Sequence, residues 1–210
     1  MTIGAAVRST TSGGIRIESF VGEAAYSFAP ELARLRIEVF RDFPYLYDGD
    51  LAYEEGYIRT YMKSTDSVIV IAFDGARVVG AATALPLAHE PERVRGGFAS
   101  LGYDVDKIFY CGESVLKSDY RGRGVGVGFF DHREAHGRWL GRFDLVAFCG
   151  VVRPPDHPRR PRGYVPLDAF WQKRGYRKVE GLTGTIAWRD LDESAPTPKT
   201  MQFWMKELKA

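Results

Sequence analysis

The spacing of apolar positions changes along the chain, and each change marks an expected element. Residues 14–21 read as a short strand. Residues 30–41 read as a helix, with Pro30 suited to the first turn and Leu32, Leu35, Val39 and Phe40 on one stripe. A second helix is expected after Asp50, a good N-cap, running to about Lys63 with Tyr53, Tyr57, Ile58 and Tyr61 at helical spacing. Residues 67–73 and 77–87 are β-rich and joined by Asp74-Gly75, the signature of a hairpin. The charged, glycine-bearing stretch 88–106 has room for one short helix. Then come an apolar strand over 108–116, a glycine turn, a helix over 127–140 and another apolar strand over 143–152. A proline-rich, basic loop (153–166) precedes a short helix over 169–174. Residues 182–190 and 200–208 read as a closing antiparallel pair, joined by the polar, proline-containing 192–199. Residues 1–13, small and polar with a single Arg, read as a flexible tail, and 14–210 as one domain without repeat or linker.

The chemistry concentrates in the turn Arg121-Gly122-Arg123-Gly124-Val125-Gly126, between a strand and a helix. Glycines let the backbone take positive φ and approach a ligand closely, and the helix N-terminus adds unpaired N–H groups and partial positive charge. Two arginines stand at the same place, so a diphosphate is the natural guest. The turn is neither of the two common nucleotide motifs. A P-loop requires Lys and then Ser or Thr after its last glycine, where this chain has Val127 and Gly128. The dinucleotide fingerprint would require glycine at position 127 or 129, occupied by Val127 and Phe129.

What fits is R/Q-x-x-G-x-G/A, read as Arg121, Gly124 and Gly126, which resembles the acyl-CoA pyrophosphate loop of the GNAT superfamily of N-acetyltransferases. Downstream, Phe170-Trp171-Gln172-Lys173-Arg174-Gly175-Tyr176 resembles that family's second signature, an aromatic-bearing helix ended by Gly and an aromatic residue. The resemblance covers roughly residues 67–208. It implies an α/β fold: a mixed, mostly antiparallel sheet of about seven strands, helices on both faces, and a splayed parallel pair in the middle. It also implies transfer of an acetyl group from acetyl-CoA to the primary amine of a small molecule by direct attack. Residues 121–126 and Trp171 would then hold the cofactor, and a backbone N–H from Val115 or Leu116 would receive the thioester oxygen.

Glu113, the one carboxylate on its strand, is the candidate base. The chain departs from the family at the acid for the departing thiolate. Trp171 stands where many relatives carry Tyr, leaving Tyr164 to supply the proton, or no dedicated acid at all. In the family the connection between the first two helices lies over the acceptor, which here implies Tyr45, Tyr47 and Asp48. Between Glu38 and Glu55 six carboxylates face one base, Arg41, an imbalance that would draw in a cationic amine. The other reading is a catalytically silent acyl-CoA-binding protein serving as regulator or partner subunit.

Composition sets the remaining bounds. With 210 residues, 45% hydrophobic, the chain can bury a substantial core. A net charge of +2 gives no reason to expect nucleic acid or a membrane surface as partner, and a homodimer is compatible with the family. Cys111 and Cys149 both lie in apolar runs, which suits a reduced, cytoplasmic protein; no apolar run of eighteen residues exists to span a membrane. His132, Glu134 and His136 look like metal ligands, but Arg133 stands where a zincin helix has Glu, so no metal is expected and the histidines read as solvent-facing. The prolines of 154–166 make the basic loop a stiff surface feature rather than a phosphate site.

Overall fold

A computed structural model describes residues 9–209. Eight strands form one sheet in the order β1-β2-β3-β4-β5-β6-β8-β7. They are β1 (Ser9–Ser12), β2 (Ile15–Phe20), β3 (Val68–Asp74), β4 (Arg77–Pro86), β5 (Ile108–Leu116), β6 (Leu145–Val151), β7 (Arg177–Trp188) and β8 (Thr197–Glu207). The helices are α1 (Ala29–Phe40), α2 (Leu51–Lys63), α3 (Glu92–Ser100), α4 (Val125–Leu140) and α5 (Asp168–Lys173). Neighbouring strands are antiparallel except β5 and β6, as expected for the middle of the sheet.

The eighth strand falls in the segment expected to be a tail. Ser9–Ser12 pairs with β2 through the two-residue turn Gly13-Gly14, both at positive φ (53° and 81°), which is the hairpin turn glycine pairs favour. The rest of the expected tail, residues 1–8, lies outside the described residues. β7 begins five residues earlier than the pattern indicates, at Arg177 rather than 182, because a register shift between Lys178 and Thr183 breaks its alternation.

The sheet is covered on both faces, which is why β3 is apolar without alternation: Val68 to Phe73 are all buried. α1, α2 and α3 cover one face, packing Leu32, Leu35, Ile58, Tyr61, Val94 and Phe98 on Ile69, Ile71, Tyr110 and Phe203. α4 and α5 cover the other, where Phe129, Phe130, Phe170 and Trp171 pack with Phe109, Phe148 and Trp204. The buried stripe of α2 differs from the expected one in one position. Tyr53 is 60% exposed, and Glu54 takes its place at 0% because Arg36 of α1 meets it there.

The histidines of α4 are also not solvent-facing. His132 and His136 are 1% and 2% exposed, since the β1–β2 hairpin closes over the first and the segment before β3 over the second. Thr10 and Ser19 hydroxyls hold the two ring nitrogens of His132, and His136 Nε2 bonds Asp66 O. Glu134 turns instead to Tyr176 and Lys206. Among the described residues, no group of three His, Cys, Asp or Glu side chains is arranged to hold a metal ion, and no helix is long and apolar enough to cross a membrane.

Candidate active site

β5 and β6 pair only from Ile108–Tyr110 against Leu145–Ala147; beyond that point they diverge and leave a gap in the middle of the sheet. A bulge in β5 shapes one side of the gap. Ala84 opposes Cys111 and Ala82 opposes Ser114, so Gly112 and Glu113 together face Thr83 alone. The extra residue turns Glu113 from the α4 face to the α1–α2 face. Position 112 has no room for a side chain: a Cβ would lie 2.1 Å from the Tyr61 hydroxyl and 2.8 Å from Thr83 Oγ1. From behind, the fully buried Arg133 of α4 secures the bulge, donating to Glu113 O at 3.0 Å and to Phe129 O at 3.2 Å.

After the bulge, Lys117 N bonds Val79 O, which fixes the alternation of the strand. Val115 therefore turns its N–H to β4, while Ser114 and Leu116 turn theirs to the gap. Of the two positions expected to offer a donor, Leu116 is the one that faces the gap, with Ser114 beside it. The strand then leads into the glycine turn. Gly122 and Gly124 have φ of 77° and 80°, and α4 starts at Val125, so the N–H groups of Val125 and Gly126 open the helix. Arg123 donates to Asp119 O and stacks over Tyr120, and Arg121 lies 3.9 Å from Asp42; both keep exposed heads beside the turn. β1 reaches this turn as well, with Ser12 Oγ donating to Arg123 O at 2.9 Å.

Glu113 is buried and paired. Arg36 Nη1 forms an ion pair with its Oε2 at 2.8 Å, and that oxygen accepts a hydrogen bond from the Tyr57 hydroxyl at 3.0 Å, while Arg36 Nε bonds the buried Glu54. The Tyr57 ring lies under the guanidinium, 4.3 Å from its carbon. Across the gap, Cys149 of β6 meets the Tyr110 hydroxyl at 3.1 Å. Tyr45 stands among Cys149, Glu113 and Tyr164, and burial holds its hydroxyl well above the usual phenol range.

The segment joining α1 and α2 is held by its backbone. Arg153 donates to Pro44 O and Tyr45 O, both at 2.7 Å; Trp188 Nε1 donates to Tyr45 O at 3.0 Å, and Leu191 N to Leu46 O at 2.8 Å. Arg153, expected in a surface loop, is buried against Asp190 because it serves this clamp. The charge imbalance of the segment is confined to the sequence. In space Lys117 meets Glu38, Arg121 meets Asp42, Arg189 and Arg41 meet Asp48, Arg36 meets Glu54 and Arg59 meets Glu55, while Asp50 caps α2. Tyr47 is half-buried near Glu54 and bridges Asp190 through its backbone, and Asp48 lies 2.5 Å from Arg189, so of the three residues expected to meet an acceptor, Tyr45 is the one grouped with Glu113 and Cys149.

No protein-family model matches the sequence, and no curated protein sequence matches it. Solved structures do match. One is an acetyltransferase of the GNAT family from Listeria monocytogenes 4b F2365, at TM-score 0.62 and 11% identity, covering 95% of this chain and 99% of that one. Another is a ribosomal-protein-alanine N-acetyltransferase from Brucella melitensis, at TM-score 0.58 and 12% identity over 90% and 98% of the two chains. A third is an acetyltransferase from Thermus thermophilus, at TM-score 0.53 and 16% identity over 90% and 96%. This chain has the GNAT fold.

In this GNAT fold Trp171 lies on α5 and Tyr164 in the loop that precedes it. Trp171 packs edge-on against Phe148 and Trp204, at 5.0 and 5.1 Å, and against Gly150, where a Cβ would lie 2.9 Å from the ring. It fills the end of β6 as packing. Tyr164 packs edge-on against Phe43 at 4.7 Å with Arg160 over its ring, and burial raises its phenol above the usual range, so it stays protonated at neutral pH. Arg36, Tyr57, Tyr61 and Tyr110 were not among the expected site residues. The available signal was Arg36 itself, a charge placed one turn from both Leu32 and Phe40 on the apolar stripe of α1.

Proposed function

We propose that this protein is an N-acetyltransferase that moves the acetyl group of acetyl-CoA to the primary amine of a small molecule. What carries the reading is the gap between β5 and β6, which ends at a glycine turn opening a sixteen-residue helix. A phosphate arm extended along this gap would set its diphosphate on the N–H groups of residues 124–126 and its thioester beside Leu116 and Glu113. Glu113 takes the proton of the attacking amine, the thioester oxygen receives the N–H of Leu116, and Tyr164 supplies a proton to the departing thiolate. Direct attack is favoured over an acyl-cysteine. Burial pushes the Cys149 thiol up to about 11, and burial also raises Cys111, so neither is a ready nucleophile at neutral pH. The acceptor would lie against Tyr45, whose segment covers this side of the gap.

Trp171 favours a second reading, an acyl-CoA-binding protein without turnover, because an indole is no proton donor to a thiolate. Thiol release from acetyl-CoA with a panel of small primary amines separates the two. Release with at least one amine is expected, and binding without release identifies the silent protein.

The diphosphate assignment has its own test. In Gly124→Val a β-branched residue must adopt φ of 80° with its Cβ 2.5 Å from Ser12 Oγ. A left-handed residue costs about 1–2 kcal/mol, so CoA binding should weaken roughly 5- to 30-fold in calorimetry. Lys117→Ala, which removes only the half-buried ion-pair partner of the exposed Glu38, should bind CoA as the parent does. Equal affinities for the parent and Gly124→Val would remove the turn from the cofactor site.

A further inference from the structure

Glu113 is one end of a hydrogen-bonded chain that runs through two phenols to a second carboxylate. Its Oε2 accepts from the Tyr57 hydroxyl at 3.0 Å, the Tyr57 and Tyr61 hydroxyls meet at 2.8 Å, and Tyr61 donates to Glu90 Oε1 at 2.9 Å. The two tyrosines are one turn apart on α2, and Glu90 follows β4 at the half-buried edge of the site.

Counting protons shows what the chain can do. Three links each need one proton, and the phenols bring one apiece. With both carboxylates ionised, one link is empty; one further proton completes the chain. That proton can enter at Glu113 and leave at Glu90. Glu113 gives its proton to the Tyr57 oxygen, Tyr57 gives its own to Tyr61, and Tyr61 gives its own to Glu90. Three O–H bonds break and three form, and one proton has moved from one carboxylate to the other.

We propose that Glu90 is the outlet for the proton taken from the amine, reached from Glu113 through Tyr57 and Tyr61. This rests on the acetyl-transfer reading. The charges around the chain give it direction: the buried Arg36 of α1 sits on Glu113, whereas Arg93 of α3, the cation near Glu90, is exposed. Of the other groups near Glu90, Glu113 of β5 adds a like charge while ionised, and Tyr61 of α2, Tyr110 of β5 and Cys149 of β6 are neutral at pH 7. His89, next in the chain, is turned to Ser64. Burial pushes Glu90 up to about 6, which suits a group that accepts a proton and returns it to water. Burial also holds both phenols well above their usual range, so they carry protons without ionising.

Infrared titration of the unliganded protein tests the chain directly. On acidification the parent should gain a protonated-carboxyl stretch with a midpoint near pH 6, set by the raised Glu90, and Glu90→Gln should lack it. Tyr61→Phe should raise the midpoint by removing a donor to the Glu90 carboxylate. Tyr57→Phe, which does not touch Glu90, should shift it as well, an effect that only a connected chain transmits. With acetyl-CoA and a responsive amine, Glu90→Gln should lower kcat and lose the limb of the pH profile near 6, with KM for acetyl-CoA unchanged. A parent without the band, or a band that ignores Tyr57→Phe, overturns the outlet role alone. Absence of thiol release with every amine overturns it together with the transfer reading.

Discussion

Glu113→Gln is expected to lower turnover at neutral pH by about 10² to 10⁴, the range a positioned base contributes. The variant keeps the shape of the side chain and an oxygen able to accept from Tyr57, and Arg36 retains Glu54, so the site should remain assembled. What it loses is the ability to accept a proton from the amine and pass it to Tyr57. The loss should therefore fall on kcat and on kcat/KM for the amine alike, while calorimetry with CoA gives the parent affinity. Turnover equal to the parent across the pH range would show that the proton leaves by another route.

Arg36→Met is expected to be the most destabilising single change at the site. It leaves two buried carboxylates, Glu54 and Glu113, without their shared cation. Breaking a buried pair in this way costs about 3–5 kcal/mol, or roughly 6–20 °C in Tm for a domain of this size. Urea melts of Arg36→Met should show the loss in midpoint with little change in slope. Adding Glu54→Leu should recover a large part of it, because the stranded charge goes with the side chain; turnover should stay low, since Glu113 still lacks its partner. A single variant that melts like the parent would mean that the cluster holds no stability and that Glu113 is positioned by the bulge alone.

These two experiments address different layers of the site, and the layers differ in how far the sequence discloses them. Local pattern makes the strands and helices legible: β5 and α2 are found at the expected residues, and α1, α4, β3 and β4 differ by one or two at one or both ends. Gly122 and Gly124 disclose the turn before α4 because a positive φ leaves a residue-type mark. The proton chain leaves no such mark. Arg36, Glu54, Tyr57, Glu90 and Glu113 come from α1, α2, β5 and the segment after β4, and each alone resembles a surface charge or a core aromatic. The same distance in sequence hides the charge balance around Asp48, whose compensating Arg189 lies 141 positions further on. The burial of His132 and His136 is equally invisible locally, because it depends on hydroxyls of the β1–β2 hairpin for His132 and on the Asp66 carbonyl for His136, not on any periodicity of α4.

The clamp on the wall between α1 and α2 bears on how new acceptor preferences can arise. Arg153, Trp188 and Leu191 grip the carbonyl oxygens of Pro44, Tyr45 and Leu46, atoms that every amino acid carries. The Tyr45 side chain can therefore be exchanged by drift or by design while the wall keeps its course, whereas Leu46, buried and at φ of 56°, is fixed by packing and backbone. Tyr45 is the position grouped with Glu113 and Cys149, and on the proposed acetyl-transfer reading a library confined to it should sample altered acceptors on an unaltered frame.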